Sequence, residues 1–392
     1  MSIFAAVMTG KGTGAISTIQ VFGDSADAVI QKVFKPAGTK PSKFKTGEIL
    51  LGTIIDDAEV IDQVTIGCEG PDTFAINCHG NPLIVEIIMQ LLQHHGAKLV
   101  TAEQLLTKTL SAQERNNTIA VEAKLAQANA RTLQGTKIIT NQIDGGLTKK
   151  VTNWLESIDE ISLETIKAEA IEILQKSQAA KLIIYGCTAV ITGPPNSGKS
   201  TLLNCLAGRQ KAIVTDIKGT TRDWVSANCQ IGPLSVKLID TAGLDEKPQG
   251  IQDIEESAQK KTVEILEQAD IVLLVLDASR STEEFDGQIT KRFNDKKVIT
   301  VLNKTDLPTK LYISQLPATL SNTVQLSAKE GIGIENLNEK IIKTVGAADI
   351  KLQEPVCFTI RQKNLLQKLT DAKSKQQATS IITDLLYGQL RV

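Results

Sequence analysis

The eight residues Gly193-Pro194-Pro195-Asn196-Ser197-Gly198-Lys199-Ser200 have the spacing GxxxxGK[ST], in which backbone N–H groups at a helix N-terminus cradle phosphate oxygens. In that pattern the lysine neutralises the β and γ oxygens and the serine hydroxyl joins the coordination sphere of Mg²⁺. Asn196, Ser197, Gly198, Lys199, Ser200 and Thr201 are therefore candidate phosphate-binding residues. Forty-one residues beyond Lys199 comes Asp240-Thr241-Ala242-Gly243. Its carboxylate can hold the metal through water, and the Gly243 N–H can meet a γ-phosphate. Between the two lies Thr215-Asp216-Ile217-Lys218-Gly219-Thr220-Thr221-Arg222-Asp223, which offers Thr221 as a second metal ligand. Gly219, Thr220, Thr221, Arg222 and Asp223, with Asp240, Thr241 and Ala242, then read as switch segments that order around the γ-phosphate.

Asn303-Lys304-Thr305-Asp306 and Ser327-Ala328-Lys329 complete the set as candidate base-binding residues. The Asp306 carboxylate can accept from guanine N1–H and the exocyclic amine, whereas adenine presents an acceptor at N1 and lacks that amine. The implied ligands are GTP, not ATP, and Mg²⁺. One part is missing: Leu244 follows the DTAG box, where many small GTPases carry the glutamine that orients the attacking water. A leucine cannot polarise water.

These motifs need strand ends to hold them. TAVIT (188–192), VKLID (236–240), IVLLVLD (271–277) and VITVLN (298–303) are short, nearly unbroken apolar runs, each followed by a polar loop and a helical pattern. Such runs predict a parallel sheet buried on both faces in a doubly wound α/β domain, with ligands at the carboxyl ends of its strands. The flanks are helical. Leu163, Ile166, Ala170, Ile173 and Leu174 share one face at the 3.6 period, as do Leu365, Leu366, Leu369 and Ala372. Residues 1 to about 100 mix strands such as ISTIQVF (16–22) with glycine turns and a helical pattern from Pro82 to His95. The expected architecture is an α/β P-loop G domain inserted in an α-helical domain and preceded by a small α+β N-terminal domain. Its expected boundaries are 1–102, 103–184, 185–346 and 347–392.

A length of 392 residues suits two or three domains. The net charge of -1 provides no global basic field for nucleic acid, so any RNA contact is local or delivered by a partner. The six cysteines lack CxxC or metal-ligand spacing, which predicts isolated thiols in a reducing cytoplasm. No run of about 18 apolar residues and no signal-peptide pattern is present, so no membrane association is expected. His79 beside Cys78 reads as a structural polar residue in a turn.

The segment GPPNSGKSTLLNCLAGRQKAIVTDIKGTTRD followed by DTAGL resembles the MnmE (TrmE) family of bacterial tRNA-modification GTPases, and the expected three-part architecture is also that family's. The resemblance implies that a potassium ion held by Asn196, Thr215, Ile217 and Thr220 replaces an arginine finger when two G domains meet. It further implies a catalytic glutamate fifteen residues before Asp270, which is Glu255; the neighbouring Glu256 is the alternative match. An N-terminal domain that dimerises and binds a tetrahydrofolate derivative, and a flavin-containing MnmG-like partner for tRNA wobble-uridine modification, are implied as well.

The sequence departs from the family pattern in four places, most of all at the C-terminus. Lys11 stands where arginine is common, the segment before CHG is reduced to GPDTFAINCHG, and TAEQLLTKTLSAQERN replaces a folate-site segment. The last residues, DLLYGQLRV (384–392), carry no Cys-x-Gly-Lys motif, while Arg361 fits the arginine that opens the family's final helical segment. Two functions therefore fit the sequence. One is a tRNA-modifying GTPase; the other is a GTPase switch or assembly factor of the same descent that lacks folate and tRNA chemistry.

Overall fold

The computed structural model describes residues 2–10, 12–38, 44–114, 116–209, 225–240, 264–281, 293, 296–311 and 313–390. The chain divides into two compact units, Met1–Leu125 with Tyr387–Val392, and Ala126–Leu386.

The first unit contains β1 (Ile3–Val7), β2 (Ile16–Phe22), α1 (Ala26–Val33), β3 (Phe34–Pro36), β4 (Ile49–Asp56), β5 (Glu59–Gly70), β6 (Thr73–His79), α2 (Pro82–His94), β7 (Ala97–Leu99), α3 (Ala102–Gln113) and the start of α4 (Thr118–Gln127). Its strands form one sheet in the order β3-β4-β5-β6-β2-β1-β7. The β1/β7 pair is parallel and the other pairs are antiparallel. In β2, Ser17, Ile19 and Val21 are buried while Thr18 and Gln20 between them are half-buried, the alternation of a strand that packs one face on the core. Helix α2 supplies Ile88 and Leu92 to the resulting core. It starts where the Asn81 side chain accepts the Leu83 N–H and Pro82 occupies the first turn. Thr101 and Gln104 form a reciprocal capping box at the head of α3.

The second unit opens with α5 (Leu133–Asp144), α6 (Gly146–Glu156) and α7 (Leu163–Tyr185). The α/β part follows: β8 (Cys187–Thr192), α8 (Lys199–Arg209), β9 (Val225–Ile231), β10 (Leu234–Asp240), β11 (Ile271–Asp277), β12 (Val298–Asn303), β13 (Thr323–Gln325) and α9 (Ile334–Val345). The chain then returns to helices in α10 (Ile360–Thr370) and α11 (Lys375–Tyr387). The sheet order is β13-β12-β11-β8-β10-β9. All seven residues of β11 are buried, so both faces of the sheet are covered there. Strand β8 lies between β10 and β11, and successive connections leave it in opposite directions. The crevice of such a switch point opens at the carboxyl end of β8, where the Gly-rich loop begins.

The four runs named from the sequence pair in parallel, and the sheet also holds an antiparallel strand that the sequence reading did not name. β9 pairs antiparallel with β10 through a tight turn at Gly232, where φ is +54°. Only Cys229 and Ile231 of β9 are buried, the pattern of a one-sided edge strand. On α7, Ile166, Ala170 and Ile173 are buried as expected. Ala372 is buried too, but lies past the end of α10 in the turn to α11.

Hydrogen bonds join the two ends of the α/β insertion to the same helices. The Tyr185 hydroxyl at the end of α7 donates to the Phe358 carbonyl (2.9 Å), and the Cys357 N–H donates to Ser177 Oγ on α7 (2.7 Å). The Gln142 side chain on α5 is fully buried and satisfied on both ends. Its Oε1 accepts from the Leu147 and Val356 N–H groups (2.7 and 3.2 Å), and its Nε2 donates to the Ile138 and Glu354 carbonyls (3.1 Å each). One amide therefore ties α5 and the start of α6 to the returning chain. Gln142→Leu keeps most of the volume but leaves those backbone groups unpaired, and should lower stability by about 2–4 kcal/mol. The urea midpoint measures this; an unchanged midpoint would remove the role given to the amide.

Candidate functional site

The turn after β8 needs backbone shapes that few residues adopt. Gly193 and Gly198 have φ of +144° and +96°, and Asn196 sits in the left-handed region at +60°, a conformation asparagine tolerates better than most side chains. A Cβ at Gly193 would collide with the Val275 carbonyl of β11, and one at Gly198 with Asn303 Nδ2. The two glycines thus allow the loop to lie against its neighbours. Lys199, buried at the first position of α8, donates from Nζ to the Gly193 and Pro194 carbonyls (2.8 and 3.2 Å), folding its ammonium back over the loop. Thr201 is exposed in the first turn of α8.

Ser200 Oγ donates to Asp240 Oδ2 (2.6 Å), bringing the predicted metal-site hydroxyl and carboxylate together. Asp240 is 2% exposed at the end of β10, and this all-oxygen pair matches the preference of a hard divalent cation such as Mg²⁺. In the same loop the buried Ser197 Oγ has no hydrogen-bond partner among the described residues. A hydroxyl donor left over in a phosphate-loop sequence suits a phosphate oxygen. Thr215, Ile217, Gly219, Thr220, Thr221, Arg222, Asp223, Thr241, Ala242, Gly243, Leu244, Glu255 and Glu256 lie outside the described residues, as does Lys11.

The candidate base-binding residues sit at the ends of β12 and β13, and two of them reach back to the phosphate loop. Asn303 is buried; its Nδ2 donates to the Ser197 carbonyl (2.9 Å) and its Oδ1 accepts the Ala328 N–H (2.9 Å). It binds loop to loop, so among the candidates its part is to position the others. Lys304, with φ of +66°, donates from Nζ to the Asn196 carbonyl and to Asp277 Oδ2 (2.7 Å each). The Ser327 hydroxyl beside Asp306 holds its carboxyl below the usual carboxylate range, keeping it an anion fit to accept two N–H donors. Ser327 and Ala328 are buried, and Lys329 points outward, 80% exposed.

Asp277 was not singled out by the sequence, although it closes an apolar strand in register with Asn303. Burial pushes its pKa up, but hydrogen bonds from Lys304 and Ser279 outweigh that and hold it below the ordinary value.

Elsewhere, His79, expected in a turn, is the last residue of strand β6 and pairs with a carboxylate. Its N–H and Nδ1 both meet Asp62 (2.8 and 2.6 Å) at the end of β6. All six cysteines are free, and burial pushes the Cys187 thiol up to about 12 and the Cys229 thiol to about 11. Among the described residues no group of three or more His, Cys, Asp or Glu is placed to hold a metal, and no helix is long and apolar enough to cross a membrane.

Two family models match the chain: the "GTP-binding protein TrmE N-terminus" over residues 3–104, and the "50S ribosome-binding GTPase" over residues 188–304. Full-length relatives agree. The tRNA modification GTPase MnmE of Alkaliphilus oremlandii is 30% identical over 94% of this chain and 87% of its own length. That of Acetivibrio thermocellus is 30% identical (92% and 86%), and that of Thermoanaerobacter sp. strain X514 is 32% identical (89% and 83%). Among solved structures, the G domain of the T. maritima FeoB iron transporter aligns with 40% of this chain and 98% of its own at 26% identity, with a TM-score of 0.32.

Lys199→Ala removes the ammonium folded back over the phosphate loop and should abolish GTP binding; calorimetry showing unchanged affinity would refute the loop's role. The nucleotide machinery, the N-terminal match and similarity along nearly the whole length converge: this GTP-hydrolysing chain belongs to the MnmE (TrmE) family of tRNA modification GTPases.

Proposed function

We propose that this chain is a potassium-activated GTPase that acts in tRNA wobble-uridine modification. The observation that carries the reading is similarity to tRNA modification GTPases along 94% of the chain, together with a phosphate loop that displays Asn196 at its exposed tip.

In this reading the N–H groups of residues 196–201 and Gly243 bind the phosphates, with Lys199 on the β and γ oxygens. Asp306 selects guanine, while Asn303, Lys304, Ser327, Ala328 and Lys329 shape the base pocket. Mg²⁺, held by Ser200, Thr221 and, through water, Asp240, would neutralise charge on the β and γ oxygens. K⁺ at Asn196, Thr215, Ile217 and Thr220 would stabilise the charge that develops at the β/γ bridge when two G domains meet. Gly219, Thr220, Thr221, Arg222, Asp223, Thr241 and Ala242 serve as the switch. Since Leu244 cannot orient water, the Glu255 carboxylate accepts a hydrogen bond from the attacking water, directly or through a second water; Glu256 is the alternative.

The same reading gives modules at 1–102, 103–184, 185–346 and 347–392, with the first as a homodimerisation domain; the departures at Lys11, GPDTFAINCHG and TAEQLLTKTLSAQERN stand against a tetrahydrofolate site in it. An MnmG-like flavoprotein and tRNA are the partners, in the cytoplasm.

The test is mass spectrometry of wobble-uridine nucleosides in tRNA from a strain lacking its own MnmE and supplied with this chain and a compatible flavoprotein. Restored modification is the expected result. No restoration by a well-expressed chain that hydrolyses GTP would overturn the tRNA role and leave the switch or assembly reading. In the same strain Glu255→Ala should bind GTP normally, turn it over roughly a hundredfold more slowly and fail to complement; normal turnover would sink the glutamate's role.

A further inference from the structure

The ammonium of Lys304 is gripped from two sides. One acceptor is the Asn196 carbonyl of the phosphate loop, and the other is Asp277 Oδ2 at the carboxyl edge of β11, each 2.7 Å away. Asp277 is fully engaged in turn. Its Oδ1 accepts from the Ser279 N–H (3.0 Å) and hydroxyl (2.7 Å), which fixes the carboxylate's plane, and Arg280 Nε lies 3.6 Å from Oδ2 on the outer side. Its side chain is 7% exposed, against 31% for that of Lys304. The carboxylate is therefore the fixed partner, and the lysine is the one that could swing into solvent.

We propose that Asp277 is a positioning residue for guanine-nucleotide binding, holding the Lys304 side chain across the space between the base-binding loop and the phosphate loop. The geometry gives the reason. Lys304 leaves β12 in the left-handed region, which few non-glycine residues occupy without support. A four-methylene stem has many rotamers, and a single neutral carbonyl would select among them weakly. A charge-assisted bond to a buried carboxylate is about twice as strong as a neutral one. With Asp277 in place the stem is held at both ends and forms one wall of the base site. Because the ammonium also bonds the Asn196 carbonyl, the same contact helps hold the left-handed turn of the phosphate loop.

The inference rests on the reading of Asp306 and its neighbours as the base site, so the experiment separates the two. Displacement of a fluorescent GDP analogue from the full chain is measured with GDP and with XDP. Asp306→Asn should weaken GDP and admit XDP; if it changes neither, the base-site reading fails and this inference falls with it. Given that exchange, Asp277→Ala should weaken GDP roughly tenfold or more, and Asp277→Asn, which keeps one acceptor oxygen without the charge, should recover part of the loss.

The decisive readout is coupling. Asp277→Ala combined with Lys304→Ala should bind GDP no more weakly than Lys304→Ala alone, since the carboxylate acts through that lysine. Losses that multiply, or wild-type affinity in Asp277→Ala, would overturn the role while leaving the base site intact. If Asp277→Ala does not fold, judged by its melting curve, the same cycle run with Asp277→Asn decides between coupled and independent losses.

Discussion

Two consecutive residues at the end of β12 fix the phosphate loop. Asn303 and Lys304 donate to the carbonyls of Ser197 and Asn196 respectively, more than a hundred residues earlier in the chain. Those carbonyls belong to the turn whose N–H groups must face a phosphate. Were the carbonyls free to rotate inward, they would present negative charge to an anion. With both carbonyls engaged by residues 303 and 304, the candidate base-binding loop also shapes the proposed phosphate site. The close approach of Gly198 to Asn303 has the same origin, and any side chain there would push the two loops apart.

A similar economy holds the insertion in place. The chain enters the α/β part through Gly186, at φ of +93°, and the returning segment 354–358 bonds to Gln142, Ser177 and Tyr185 on helices formed before it. Thr132, which caps α5 through the Gly135 N–H, also donates to the Ile183 carbonyl at the end of α7. Exit and return are thus fixed to one set of helices.

Much of this was legible in the residues. β8, β11 and β12 lie where unbroken apolar runs placed them, because strands covered on both faces leave no polar position to blur the pattern. The helical pattern read from Pro82 onward lies where α2 begins. β9 was not legible. Its seven residues VSANCQI bury only two, and nothing local distinguishes an antiparallel edge from a loop. Asp277 was hidden for another reason: its partners are Lys304, which is distant in sequence, and Ser279, and a single acid at a strand end has many ordinary explanations. Asn303 was legible as part of a motif but not in its action, since its bonds go to two loops that only the sheet order brings together. Gln142 was not singled out, because the chain that pairs with it arrives more than two hundred residues later.

The proposed activation depends on the pinned turn at Asn196, which holds that residue's backbone in place and leaves the residue exposed. The most direct measurement is single-turnover GTP hydrolysis by the full chain in potassium chloride and in sodium chloride, at equal ionic strength and over a range of protein concentrations. The account predicts faster hydrolysis in potassium, with the advantage growing as concentration brings G domains together. Equal rates in the two salts at every concentration would contradict it.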